Sequence, residues 1–214
     1  MTSPIRVDII SDVVCPWCIV GFRQLQLASA ATKIEVQPFW HPFELNPDME
    51  PVGENLRDHI MRKYGSTAEQ SQQARDNLRD IGSGLEIAFN FNDESRIYNT
   101  FDAHKLLHWA AGLGRAHDLK MAFFTAYFAK GADVSNQATL VEIAANAGFD
   151  AQDALAALSD PKIAAAVREK ETFWTSRGVQ GVPAMVFENK HLVTGAQGVD
   201  NYQSILTQLA QNAA

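Results

Sequence analysis

Apolar positions in the first stretch alternate. Ile5, Val7 and Ile9 fall on one face of an extended segment and Ile10 on the other, the pattern of a strand over residues 5–11 that is covered on both sides. Cys15-Pro16-Trp17-Cys18 follows directly. Residues 19–32 then predict a helix carrying Phe22, Leu25 and Gln26. Residues 34–43 predict a second strand, and Pro38 and Pro42 make it an edge or irregular one, because proline cannot donate to a ladder. The opening is β-α-β.

Residues 44–55, with Pro47, Pro51 and Gly53, form a polar connection and a boundary. Beyond it the chain predicts helix for over a hundred residues. Ala103, Leu106, Leu107 and Ala110 recur at helical spacing, as do Leu119, Ala122, Phe123 and Ala126, and then Leu140, Ile143, Ala144 and Ala147. Asp160-Pro161 reads as an N-cap with proline in the first helical position, opening a helix through Ile163, Ala166, Val167, Lys170 and Trp174. The character changes at residues 177–183. Residues 184–188 and 192–194 predict a β-hairpin turning at Asn189-Lys190. Asp200 with Gln203 predicts a capping box, and Tyr202, Ile205, Leu206 and Leu209 line a closing helix. The order is β-α-β, a long helical block, then β-β-α.

The 214 residues suit one large domain or two closely joined ones, with 46% apolar and 20% charged residues excluding a disordered chain. A formal net charge of -7 argues against nucleic acid or an anionic membrane surface as the partner. Arg6, Asp8 and Asp12 interrupt the one candidate for a secretory core, and no run reaches membrane-helix length. The expectation is a soluble cytoplasmic protein.

The only two cysteines, Cys15 and Cys18, are three positions apart. A disulfide closing so short a loop would restrain almost none of the chain, so stapling explains them poorly. At the junction of a strand and a helix, Cys15 would face the unpaired amides and positive end of the first turn, which favour thiolate over thiol. Cys18, one turn further in, would be shielded and close enough to resolve a mixed disulfide. Two other readings stand beside this thiol–disulfide chemistry: inert buried cysteines, or half of a zinc site completed by His41, although no second cysteine pair supplies the remaining ligands. Gly181-Val182-Pro183 precedes a strand. Proline statistics favour an ordinary trans bond there, and a cis bond would set the Val182 backbone beside the cysteines for an extended substrate. His104 and His108 read as packing or surface residues rather than a metal pair. Gly82-Ser83-Gly84 is a loop or helix end, and Phe123, Phe124, Tyr127 and Phe128 read as core.

Together these features resemble the thioredoxin superfamily, more closely its DsbA-type branch with a helical insertion, and within it the cytoplasmic FrnE-like group. The resembling runs are Ser11-Asp12-Val13-Val14-Cys15-Pro16-Trp17-Cys18, Phe39-Trp40-His41-Pro42-Phe43-Glu44-Leu45-Asn46-Pro47, Ala103-His104-Lys105-Leu106-Leu107-His108-Trp109-Ala110, Gly178-Val179-Gln180-Gly181-Val182-Pro183 and Thr194-Gly195-Ala196-Gln197. The resemblance implies an α/β protein with a thioredoxin-like fold and a large all-helical insertion domain. The expected boundaries are 1–48 and 177–214 for the two parts of the thioredoxin-like domain and 49–176 for the insertion. It further implies catalytic Cys15 and Cys18, a cis-Pro183 opposite Cys15, and a substrate groove of Pro16, Trp17, Val182 and Pro183. A buried acid often accompanies such a pair as a proton relay, with Asp8 and Asp12 the nearest candidates, either of which could instead be solvated or capping a turn.

The implied activity is that of a disulfide oxidoreductase or isomerase acting on protein or small-molecule thiols and disulfides, with no cofactor or metal and with glutathione as a candidate redox partner. Kappa-class glutathione transferases and 2-hydroxychromene-2-carboxylate isomerases look like relatives that carry serine where this chain has Cys15, and glutathione chemistry of that type is the alternative. A chaperone-like peptide-binding module is a third reading. The apolar surface of the helical block also suggests a homodimer.

Overall fold

Residues 3–50 and 52–212 are described by a computed structural model; Pro51, read above as part of the connecting segment, lies outside them. The alternating strand forms as β1 (Ile5–Ser11), and it is central, which is why both of its faces are buried. It pairs in parallel with β2 (Val36–Pro42) and antiparallel with β5 (Ala184–Phe187), which pairs in turn with β6 (His191–Thr194), giving the order β2-β1-β5-β6. The prolines of β2 sit in the edge strand, where a missing N–H donor costs no ladder bond. Between these strands runs α1 (Pro16–Thr32), which turns Cys18, Phe22 and Leu25 inward at helical spacing and packs against the closing helix α9 (Val199–Asn212).

The fold is α/β and thioredoxin-like, with a helical block inserted between β2 and β5. The block contains the short strands β3 (Glu54–Asn55) and β4 (Arg96–Ile97) and the helices α2 (Leu56–Tyr64), α3 (Ala68–Gly84), α4 (Phe101–Gly112), α5 (Ala116–Phe124), α6 (Gln137–Asn146), α7 (Ala151–Ser159) and α8 (Pro161–Thr175). Helices α4, α5 and α8 pack on β2, so the sheet and the block share one apolar core. The seam is aromatic: Phe22 of α1 meets Trp40 of β2 edge-on at 5.0 Å, and Trp40 meets Phe124 of α5 at 6.2 Å. Such a pair adds about 0.5–1.5 kcal/mol beyond the area it buries. Across the sheet, Ile10 packs with Val179 and Ala184 under Trp174. Among the described residues no helix is long and apolar enough to cross a membrane.

Several local expectations are corrected. Helix α1 begins at Pro16 rather than residue 19, because proline at the first position lacks only an N–H that the helix start leaves unpaired. The helical stretch is interrupted by the β3–β4 pair and by an irregular segment holding the buried Phe89 and Phe91. Two-residue strands are too short to display a period. The hairpin turns at Glu188-Asn189, both at positive φ (51° and 56°), one residue earlier than expected. No capping box forms at Asp200, which lies within the first turn of α9; Gly198, at φ 86°, leads into that helix and donates its N–H to Gln24 at 2.9 Å. The cap at Asp160 and the proline after it are as expected, with Asp160 accepting from the Lys162 amide at 2.8 Å.

Candidate active site

Cys15 is itself the N-cap of α1, with extended backbone (φ -88°, ψ 112°) and no side-chain cap bond. Its amide donates to the Asp12 carbonyl at 3.3 Å, and its own carbonyl accepts from Cys18 N–H at 3.1 Å, which closes the Cys-Pro-Trp-Cys turn. The Cys15 thiol donates to the Val182 carbonyl at 3.7 Å, bringing the two motifs together although they lie 167 residues apart. The Val182-Pro183 bond is cis, against the expectation from proline statistics and in line with the resemblance. Both cysteines are free and buried.

The two thiols face different surroundings. Cys15, Pro16, Trp17 and Val182 line a cavity of about 270 Å³, whereas Cys18 and Pro183 do not reach it. Trp17 stands 45% exposed at the rim. The far wall comes from the helical block, through Leu56, Ile60 and Leu78 of α2 and α3 together with Phe91 and Tyr127. Tyr127 therefore serves both as core and as cavity wall; Phe123, Phe124 and Phe128 are core, as expected.

Behind Cys18 lies a buried charge cluster. Asp12, His104 and Lys120 are each at most 1% exposed. Asp12 accepts the Leu45 amide at 2.7 Å, and His104 Nε2 lies 3.0 Å from the Phe43 carbonyl and 3.5 Å from Asp12. The Lys120 ammonium rests over the rings of Phe124 and Trp40, 4.8 and 5.4 Å from their centroids. Burial pushes the Asp12 carboxyl up, but His104, the Leu45 amide and Lys120 together hold it below the usual carboxylate range. Burial brings Lys120 down to about 8, resisted by the charges of Cys18, Asp12 and Cys15. Burial pushes the Cys18 thiol well up; the adjacent Cys15 thiol adds to this through a hydrogen bond and its charge, while Lys120 and the Asp12 amide oppose it.

Neither acid singled out in the sequence is solvated. Asp8 is engaged elsewhere, accepting from Arg6 at 2.6 and 2.8 Å and meeting His41 at 2.7 Å; burial raises its carboxyl, but these partners outweigh it and hold it at about 2. His41 is thereby committed to Asp8, and among the described residues no group of three or more His, Cys, Asp or Glu side chains is arranged to hold a metal ion. The expectation that His104 is a packing or surface residue misses its place beside Asp12. Lys120 was missed altogether. Its signal was a lysine on the stripe of Phe123, Phe124 and Tyr127, where a solvated charge has no place.

A profile of the DSBA-like thioredoxin domain matches residues 6–207. The crystal structure of a probable DsbA oxidoreductase of Streptomyces coelicolor, SCO1869, superposes with a TM-score of 0.90 at 35% identity, covering 97% of this chain and 90% of that one. The cytosolic disulfide reductase DsbM of Pseudomonas aeruginosa, solved with GSH, is similar in fold at 15% identity and a TM-score of 0.64, over 96% of this chain and 99% of that one. YwbO of Bacillus subtilis, described as uncharacterized, is 22% identical over 95% of this chain and 96% of its own. With the profile spanning nearly the whole sequence and a 35% identical relative covering 97% of it in the same fold, the chain belongs to the DSBA-like thioredoxin domain family of oxidoreductases.

Proposed function

We propose that this protein is a cytoplasmic thiol–disulfide oxidoreductase working through its Cys-Pro-Trp-Cys turn, with Cys15 as nucleophile and Cys18 as resolving thiol. One observation carries the reading: Cys15 lines the cavity and caps the helix, whereas Cys18 is closed off behind it against a buried charge cluster. Attack by Cys15 on a disulfide yields a mixed disulfide. Two of the effects that keep Cys18 protonated come from Cys15 itself, and a mixed disulfide at Cys15 removes both. Cys18 is thus freed to attack once its partner is occupied. Pro16, Trp17 and Val182 form the substrate surface, with the buried Pro183 next to Val182 behind it.

The substrates are small or protein thiols and disulfides, and no cofactor enters the chemistry. DsbM, a fold relative, was solved with GSH, which supports glutathione as a redox partner. A homodimer belongs to the same reading, and light scattering checks it. The central experiment equilibrates the protein in glutathione buffers across the cytosolic poise, about -320 to -220 mV. Thiols are then trapped with a mass tag and counted by intact mass. A cooperative two-thiol transition is expected. Two thiols that stay reduced throughout, with glutathione bound non-covalently, would replace the reading with transferase or isomerase chemistry.

A further inference from the structure

Beyond the cysteines, the cavity has a chemistry of its own. Arg57, His59, Lys63 and Arg75 line it, and none of its lining residues carries a carboxylate. Three of these basic groups are answered by neighbours. Arg57 meets Asp93 at 3.3 Å, His59 meets Glu54 at 2.5 Å, and Lys63 donates to the Leu45 carbonyl at 2.8 Å and to Asn46 at 2.7 Å.

Arg75 differs. It comes from α3, is 7% exposed, and uses one amino nitrogen, Nη2, for Gln72 and a long 3.8 Å approach to Asp93. Its Nε and Nη1 are buried and have no hydrogen-bond partner among the described residues. Leaving such donors unanswered is costly, and a guanidinium is well suited to a carboxylate oxygen. Around it the wall is apolar, with Leu56, Ile60, Leu78, Phe91 and Ile97. A volume of about 270 Å³ accepts one small arm and no folded partner.

From this arrangement we propose that the cavity selects disulfides whose reacting sulfur sits on a small apolar arm ending in a carboxylate, and that Arg75 receives that carboxylate. The inference rests on Cys15 being the nucleophile. The Cys15 thiolate attacks one sulfur of the small disulfide, forming a mixed disulfide and releasing the other arm as a thiolate. The Cys18 thiolate then displaces the bound arm and leaves a Cys15–Cys18 disulfide. The two protein thiols give up two electrons and two protons, and the small disulfide takes them up as two thiols. Arg75 touches neither sulfur. It determines specificity by holding the arm.

The test compares two aromatic disulfides by the absorbance of the thiol they release: dithiobis(nitrobenzoate), whose arms carry carboxylates, and dithiodipyridine, whose arms are neutral. In Arg75→Gln the rate constant for the acidic reagent is expected to fall roughly tenfold to hundredfold, the range of one charge-assisted anchor, while that for the neutral reagent holds. Arg75→Lys, which keeps the charge, recovers part of the loss. An unchanged ratio of the two rates overturns the proposal, as does an equal fall in both. Failure of the neutral reagent to oxidise the wild-type protein would instead sink the assignment of Cys15. Should Arg75→Gln fail to fold, the wild-type protein still decides. Methylthiobenzoate, a thioether that cannot exchange, is expected to slow attack on dithiodipyridine at about a tenfold lower concentration than its methyl ester. Equal protection by acid and ester overturns the proposal.

Discussion

The two sides of the Cys15–Cys18 turn are built on different principles. In front of Cys15 lies an apolar cavity with a basic lining, walled by α2, α3 and the cis-proline loop and open past Trp17. Behind Cys18 the wall is buried, and it holds one acid from the β1–α1 connection, one histidine from α4 and one lysine from α5. A single helical turn separates a region open to substrate from one in which every charge is buried. Substitutions in the front wall therefore act first on what the cavity admits. Substitutions behind Cys18 act on stability and on the proton balance together.

The largest effect should come from breaking the rear cluster. Asp12→Leu leaves Lys120 buried without its acid and the Leu45 amide without its acceptor, and removing one partner of such a group costs about 3–5 kcal/mol. Chemical denaturation measures this, and a loss under 1 kcal/mol would show that the cluster is not a coupled unit. Next in size is Lys120→Met. The ammonium is one of the influences that lower the Cys18 thiol, so its removal should slow closure of a mixed disulfide about tenfold and move the pH midpoint of that step upward. Stopped-flow decay of a labelled mixed disulfide reads both; a downward midpoint would contradict the electrostatic assignment.

Asp8 offers a control away from both sides. Its folded carboxyl, at about 2, lies below the ordinary value near 3.9, so its contribution is present above the ordinary value and is lost as pH falls towards 2. Asp8→Asn should therefore cost of order 1–2 kcal/mol at neutral pH, after discounting for screening near Arg6, and nothing at the acid end. Comparing melting curves of the two proteins across that range checks the sign. The smallest stability effect belongs to the front. Trp17→Ala at the exposed rim should change stability by no more than about 0.5 kcal/mol, while slowing exchange with protein substrates more than with small ones. Equal slowing of both would remove Trp17 from the substrate surface.

How much of this was legible depends on the range of the physics involved. The strand, the cysteine turn and the proline-led helix at Pro161 are local, and each announces itself through alternation, spacing or capping within a few residues. The β3–β4 pair gave no such signal because two residues have no period. Helix α9 starts at Val199 rather than from the expected Asp200 box because Gly198 before it, held by Gln24 from α1, sets the approach of the chain. In the site, Cys15, Cys18, Pro16, Trp17 and Val182 could be read from motif and resemblance, whereas Lys120 was masked by the aromatic stripe around it and Arg75 by the polar character of α3.

The sequence by itself determined the order of the main-sheet strands and their helices, the family and the cysteine pair, since all three are written in short runs that keep their meaning in any surroundings. The tertiary structure decided which acid stands behind the cysteines, which lysine joins it, and which cavity-lining arginine keeps buried donors unanswered. Burial and the approach of charges are properties of chain segments many residues apart. They acquire values only when packing has removed the water that otherwise screens every charge alike.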